Sequence, residues 1–308
     1  MNKPRIGFIG VGVMGAPMAG HLAKAGYAIT IHDINRARVD VLAAEHPGIK
    51  ISETPRAIGE ASDIVVTMLP SGVYVREVAL GDSGVIAGLH AGGLLLDTSS
   101  SEPWLTTETA KALAEAGIEM VDAPVSGAQI GAQTAQLVFM AGGTKEAIGR
   151  VMPLLEVMGK KVFHLGPVGA GHAMKCLNNL ITSMTFMATA EGLTIGKKFG
   201  LDPDVMVDVL NVSTGMSWIS QTHFKQRITS RKFDDPFKLE LMVKDIGIAM
   251  ELANRTSIPA PLSAHGRRLW REAGRHSEKG GSISNMVRWV EQMTGTEITS
   301  GSSRETDR

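Results

Sequence analysis

The sequence predicts an α/β protein in two parts: an N-terminal doubly wound, mostly parallel sheet, then a long linking helix leading into an all-α C-terminal half. Three observations predict this. A glycine-punctuated turn follows an apolar run at the start of the chain, in Arg5-Ile-Gly-Phe-Ile-Gly-Val-Gly-Val-Met-Gly. Short apolar runs then alternate with helical patterns as far as residue 165. Beyond Gly171 the strand-like alternation stops, and apolar residues recur at spacings of three and four.

Ile6, Phe8 and Ile9 read as the first strand, and Gly10-x-Gly12-x-x-Gly15 as the turn from that strand into a helix over 16–25. In such a turn Gly10 allows the tight bend, Gly12 lets backbone approach a pyrophosphate, and Gly15 lets the helix pack closely on the strand. The N–H groups of the helix start, around Val13 and Met14, then face phosphate at the positive end of the helix dipole. A second strand delivers Asp33 about 20 residues on, where a carboxylate can accept from ribose hydroxyls. A lone glycine pattern of this kind is common; the strand before it, the helix after it and the acid beyond favour a dinucleotide site over a parallel-sheet turn that holds no ligand.

The candidate strands are Arg5–Ile9, Ala28–His32, Ile64–Met68, Leu94–Asp97, Glu119–Ala123, Val138–Ala141 and Lys161–His164. Helical patterns between them include Arg36–Ala44, Val73–Ala79, Thr106–Ala116 and Lys145–Met158. In a parallel sheet of this kind ligands sit beyond the carboxyl ends of the strands. Gly12, Asp33, Leu69-Pro70 and Ser99-Ser100 each follow a strand directly, so all four project to that edge. The second half reads as a helix from Met174 to Lys198, then helices over Pro203–Val212, Phe237–Arg255, Pro261–Ala273 and Ser284–Met293. The expected domains are 1–165, binding the cofactor, and 166–298, all-α, with the linking helix at about 172–198. The small polar tail, 299–308, is expected to be disordered.

Bulk properties narrow the function. The 31 basic and 31 acidic residues cancel, and no basic patch argues for nucleic acid or an anionic membrane. The uncharged run Ile6–Gly20 is short and broken by glycines, neither a membrane span nor a signal peptide. The single cysteine, Cys176, excludes an internal disulfide and fits a reducing compartment, so a cytoplasmic protein is expected.

Four further stretches carry candidate chemistry. Leu69-Pro70, with Tyr74 a helical turn later, is either an apolar wall for the cofactor or an ordinary strand exit. The loops Asp97-Thr-Ser-Ser-Ser-Glu-Pro103 and Asp122-Ala-Pro-Val-Ser126-Gly127-Ala128 offer hydroxyls and N–H groups to a carboxylate, or else cap turns. In Gly166-Pro-Val-Gly-Ala-Gly171-His-Ala-Met-Lys175-Cys-Leu-Asn178-Asn179, Lys175 and Asn179 are four apart and share a helix face. A lysine lowered in pKa by a cleft and a cationic nicotinamide can exchange a proton with a substrate hydroxyl; on spacing alone a solvated lysine is the commoner outcome. His164 and His172 read as turn histidines, and Cys176 as a core residue.

These stretches together resemble the β-hydroxyacid dehydrogenases, which include 3-hydroxyisobutyrate dehydrogenase and tartronate semialdehyde reductase. IGFIGVGVMGAPMAGHL, VTMLPSGVYVREV, LDTSSSEP, DAPVSGAQIGAQTAQLVFMAGG, GPVGAGHAMKCLNNL and FKLELMVKDIGIA occur in the family's order to about residue 295. The resemblance implies that Lys175 is the catalytic lysine and Asn179 its partner, and that Ser126 and Gly127 hold the substrate carboxylate. It implies that Ser100 and Lys244 contact the cofactor, that Phe237 lies near the substrate, and that subunits associate as homodimers or homotetramers. Lys175 separates the chain from relatives that act on imines, which lack that lysine.

Two departures stand beside the presumed substrate loop. The family usually has Ser-Gly-Gly where this chain has Ser126-Gly127-Ala128, and Gly-Thr-Leu where it has Ala135-Gln136-Leu137. Asp33 favours NAD by repelling a 2′-phosphate, while Arg36 or Arg38 could pair with that phosphate in NADP. The reaction implied is reversible NAD(P)-dependent oxidation of a small β-hydroxy acid to its semialdehyde. The rival is a non-catalytic dinucleotide-binding sensor or scaffold.

Overall fold

The computed structural model describes residues 3–300, and the chain divides into two compact units, Met1–Lys175 and Cys176–Arg308. In the first unit the elements run β1 (Ile6–Ile9), α1 (Gly15–Lys24), β2 (Ile29–His32), α2 (Arg36–Glu45), β3 (Lys50–Ile51), α3 (Pro55–Glu60), β4 (Ile64–Thr67) and α4 (Gly72–Leu80). They continue with β5 (Leu94–Asp97), α5 (Pro103–Glu115), β6 (Glu119–Asp122), β7 (Val125–Ser126), α6 (Ala128–Gln133), β8 (Leu137–Gly142), α7 (Lys145–Met158) and β9 (Gly159–Gly166). The strands form one sheet in the order β3-β2-β1-β4-β5-β6-β8-β7, with β9 also paired to β8. Pairing is parallel from β3 to β6 and between β8 and β9; β8 runs antiparallel to β6 and β7.

The central strands β1, β2, β4 and β5 are mostly apolar because both faces of the sheet are covered there, whereas β3 and β9 are largely exposed. Successive side chains alternate faces, and the two cores show it. Phe8, Ile64, Val66, Leu94, Leu96 and Val121 pack with Met18 and Leu22 of α1 and Leu154 of α7. Ile9, Val65, Leu95 and Met120 pack on the other side with Ile58 of α3, Ala79 of α4 and Leu113 of α5. The order reverses between β1 and β4, which places a topological switch beside the glycine turn.

The linking helix α8 is continuous from Ala170 to Phe199, four residues longer at its start than its apolar spacing suggests. The second unit continues with α9 (Pro203–Asn211), α10 (Trp218–Thr222), a π-helical turn (Phe224–Thr229), α11 (Leu239–Arg255), α12 (Pro261–Arg275) and α13 (Asn285–Thr294). Its core gathers Phe186 and Leu193 of α8 with Phe224, Met242, Ile246, Trp270, Met286 and Val290. Phe186 stacks on Trp270 at 6.0 Å between centroids, and the indole N–H of Trp270 donates to the Ser183 carbonyl at 3.2 Å. Of the tail expected to be disordered, 301–308 lie outside the described residues, while the Thr299 carbonyl accepts from Lys197 Nζ at 3.0 Å. No helix among the described residues is long and apolar enough to cross a membrane.

Candidate active site

At the carboxyl edge of the sheet the glycine turn is shaped by two close approaches. Gly10 has φ +94°, and a Cβ there would stand 2.4 Å from the Met68 carbonyl oxygen. A Cβ on Gly15 would meet the Gly10 carbonyl oxygen at 1.9 Å, so only glycine lets α1 start this close to the strand. Gly12, by contrast, faces open space except for a guanidinium nitrogen of Arg38 at 3.4 Å from a built Cβ. This leaves a backbone cradle of the kind a pyrophosphate fills, with Val13 exposed beside it and Met14 at the helix N-cap.

Asp33 is brought onto the turn from β2. Its Oδ2 accepts from the Val11 N–H at 2.9 Å and its Oδ1 from the Asn35 N–H at 2.8 Å. Arg36 is taken up by Asp40 at 2.8 Å and Glu53 at 2.6 Å. Arg38, with Val11, Ala16, Asn35 and Val41, lines a pocket of about 310 Å³ beside the turn. Of the two arginines, Arg38 is the one that lies beside Gly12 and lines this pocket.

The neighbouring strand ends are tied together. The Leu69 N–H donates to Ser99 Oγ at 2.9 Å, and Leu69 itself lies against Gly10. Pro70 then leads to α4, whose first N–H, at Gly72, donates to Glu102 Oε2 at 3.1 Å, with Tyr74 exposed on that helix. Ser100 sits half-buried in the same loop. Asp97 is fully buried and accepts from Thr67 Oγ1 at 2.9 Å, the Ser99 N–H at 3.0 Å and Ser101 Oγ at 3.0 Å. The Asp97 carboxylate thus caps this turn.

Ser126 ends the two-residue strand β7, paired with Val138 of β8, and Gly127 follows with φ +125°. The next residue, Ala128, has φ 51°, and Ala135, beyond the short helix α6, has φ 53°. Both departures from the family pattern thus place a methyl group in the left-handed region, where glycine is unstrained.

Lys175 lies in the second turn of α8. The first turn is anchored by Asp122, whose Oδ1 accepts from the Gly169 N–H at 2.6 Å and whose Oδ2 accepts from the His172 N–H at 2.8 Å. This distant cap explains why the helix begins before its apolar pattern does. It also corrects the reading of His172 as a turn residue: it is helical, and its side chain is fully buried. Burial pushes the Asp122 carboxyl upward, while His172 and the two N–H donors pull it down; the net direction is up.

In the second unit, Asn179 is buried, and its Nδ2 donates to Asp245 Oδ2 at 2.6 Å. Asp245 also pairs with Lys244 at 3.3 Å. Sequence reasoning missed Asp245 as a partner of Asn179; the residues are 66 apart and only the fold joins them. Phe237 is partly buried on the helical core, and its N–H donates to Asp235 Oδ1 at 2.8 Å. Burial, with the negative charge of Asp245 adding to it, pushes the Cys176 thiol up to about 12, which leaves it a neutral core group.

Comparison with known proteins agrees with this architecture. Residues 5–166 match the family model of the NAD binding domain of 6-phosphogluconate dehydrogenase. Residues 169–290 match the family described as NAD-binding of NADP-dependent 3-hydroxyisobutyrate dehydrogenase. The chain is 36% identical over 298 residues to 2-(hydroxymethyl)glutarate dehydrogenase of Eubacterium barkeri, covering 96% of this chain and 98% of that protein. It is 35% identical to a 3-hydroxyisobutyrate dehydrogenase of Pseudomonas aeruginosa, over 86% of this chain and 90% of that one. The solved 3-hydroxyisobutyrate dehydrogenase of Mycobacterium tuberculosis with L-serine superposes with a TM-score of 0.87 at 29% identity, covering 94% of this chain and 99% of that one.

Proposed function

The chain belongs to the β-hydroxyacid dehydrogenase family, and from that premise we propose how its own residues run the reaction. It is an NAD(P)-dependent oxidoreductase that interconverts a small β-hydroxy acid and its semialdehyde. The rival reading, a non-catalytic sensor or scaffold, has no counterpart among these named dehydrogenases.

Gly10, Gly12 and Gly15, with the N–H groups of Val13 and Met14, receive the pyrophosphate, and Asp33 accepts from the ribose. Leu69, Pro70, Tyr74, Ser100 and Lys244 bound the rest of the cofactor, whose nicotinamide supplies the hydride acceptor or donor when bound. Asp33 favours NAD, and Arg38 leaves NADP open. Ser126 and the Gly127 N–H hold the substrate carboxylate, with Phe237 beside it. Lys175 takes the proton of the substrate hydroxyl during oxidation and returns it to the carbonyl oxygen during reduction. Asn179 orients that oxygen.

The observation that supports these roles most directly is the pair Lys175 and Asn179 on unbroken helix α8, with the Asn179 amide fixed by a buried carboxylate at 2.6 Å. A fixed amide is already oriented when substrate arrives, so that ordering cost does not recur at each turnover. The test follows reduced cofactor by absorbance over 3-hydroxyisobutyrate, 2-(hydroxymethyl)glutarate, L-serine and matching semialdehydes, with NAD and NADP. Lys175→Ala is expected to lower kcat about 10²–10⁴-fold with cofactor Kd unchanged. Equal loss of both would refute the proton-transfer role.

We further propose a homo-oligomer, dimeric or tetrameric, in the cytoplasm. The second unit leaves Ile195, Phe199, Val205, Val209, Val212 and Trp218 exposed, Phe199 to 84% and Val212 to 87%. An apolar set of this size is what an interface with a second copy covers. Light scattering of the intact chain decides it, and a monomer at micromolar concentration would refute it.

A further inference from the structure

The proposed chemistry gives no role to His172, yet its imidazole is fully buried and contacted at both ring nitrogens. Its ring is fully buried between two carboxylates, 3.6 Å from Asp97 Oδ2 and 3.5 Å from Asp122 Oδ2. Nε2 lies 3.1 Å from the Ser99 carbonyl oxygen, and Nδ1 lies 2.8 Å from Thr106 Oγ1. A carbonyl oxygen only accepts, so Nε2 carries a hydrogen. Ser99 in turn holds the Leu69 N–H through its hydroxyl. Through one imidazole, the first turn of α8 is therefore fastened to the ends of β4 and β5 and to α5, while its backbone is fastened to β6 through Asp122.

The contact with Thr106 serves both protonation states. Thr106 Oγ1 lies 3.1 Å from the Glu102 carbonyl oxygen and 2.8 Å from His172 Nδ1. With the imidazole neutral, the threonine hydroxyl donates to Nδ1. With it charged, Nδ1–H donates to the hydroxyl, which turns its hydrogen to Glu102. The fastening survives either state. The backbone adds a second constraint: a Cβ on Gly171 would stand 2.1 Å from the Met140 carbonyl oxygen, so this turn sits directly on the sheet.

We propose that His172 is a positioning residue for Lys175, three residues along the same helix: it fixes the first turn of α8 against the strand ends, so that the lysine amine is presented at a set height above the sheet edge. This rests on the assignment of Lys175 as the proton-transferring group. Misplacement of a reacting group by about 1 Å costs on the order of 10²-fold in rate, so loss of the fastening is expected in kcat, not in cofactor affinity.

The test compares His172→Ala and His172→Gln with the parent for kcat, KM, NADH Kd and melting temperature. Hydrogen exchange of the peptide spanning 169–178 is measured alongside. For His172→Ala, kcat is expected to fall about 10–100-fold at a temperature where the variant is folded, with NADH Kd within twofold and faster exchange in that peptide. Gln places an amide donor near Nε2 and is expected to recover most of both. A folded His172→Ala with kcat within twofold, or with unchanged exchange, overturns the proposal. So does a Gln variant as impaired as Ala, which would indicate a purely steric role. If His172→Ala does not fold, Thr106→Val removes one fastening at constant volume and is read the same way. Should the parent oxidise no hydroxy acid at all, the assignment of Lys175 falls, whereas the exchange data still decide whether His172 orders the helix.

Discussion

Two left-handed alanines, the first residue of α6 and the second residue beyond its end, make a quantitative case. Ala128 has φ 51° and is exposed; Ala135 has φ 53° and is half-buried. An L-residue in this region costs roughly 1–2 kcal/mol relative to the right-handed well. Replacement by glycine removes that cost but returns about 0.4–1 kcal/mol of entropy to the unfolded chain. Neither methyl belongs to a hydrophobic core, so little burial is lost. Each of Ala128→Gly and Ala135→Gly should therefore stabilise by about 0.5–1 kcal/mol, and the double variant by about 1–2 kcal/mol. For a unit of this size 1 kcal/mol moves the midpoint by about 2–4 °C, so calorimetry should find the double variant's first-unit transition raised by at least about 2 °C. Ala132→Gly is the control: it lies inside α6, is fully buried and has no left-handed backbone, so the same change should destabilise by about 1 kcal/mol. A double variant that melts at or below the parent temperature would refute the strain argument.

Three more outcomes follow from the geometry. Asp245→Ala leaves the buried Asn179 amide without its 2.6 Å acceptor and should cost about 1–3 kcal/mol; denaturant unfolding followed by tryptophan emission reads it, since Trp218, Trp270 and Trp289 lie in the second unit. Asp33→Ala should weaken NAD more than NADP in equilibrium titrations, and an unchanged ratio would contradict the ribose assignment. The Arg5 guanidinium holds the Asp63 carboxyl down to about 2. A folded pKa below the unfolded one, about 3.9, contributes stability that is present above about pH 4 and lost as pH falls toward 2. With both side chains substantially exposed this amounts to at most about 1 kcal/mol, so Asp63→Asn should flatten the first unit's acid melting profile only slightly.

The legibility of this fold in its sequence followed element length. Strands such as Leu94–Asp97, bounded by turn residues, and helices such as Lys145–Met158, with Thr144 capping through its side chain, carry their own signals. β3, β7 and α6 have two, two and six residues, too few to express a period, and the sheet or the loop geometry holds them in place. The helical stretch Trp218–Thr229 was missed because a π-helical turn interrupts the 3.6-residue spacing. The motifs singled out the glycine turn, Ser126, Lys175 and Asn179 as candidates. They did not reveal what holds those residues, because Asp122 with Gly169 and Asp245 with Asn179 are joined across 47 and 66 positions.

Asp33 deserves to be considered as a mechanical part. Both carboxylate oxygens are engaged by backbone N–H groups, one on the glycine turn and one on its own loop. The acid that reads the ribose in the proposed assignment is therefore also the pin that sets the shape of the phosphate cradle. Selection, natural or in the laboratory, cannot trade this residue for a neutral or basic one without loosening Val11 and the turn behind it. A lineage moving from one dinucleotide to the other would be expected to alter Arg38 and its pocket first, and to leave the pin in place until some other group had taken over the Val11 N–H.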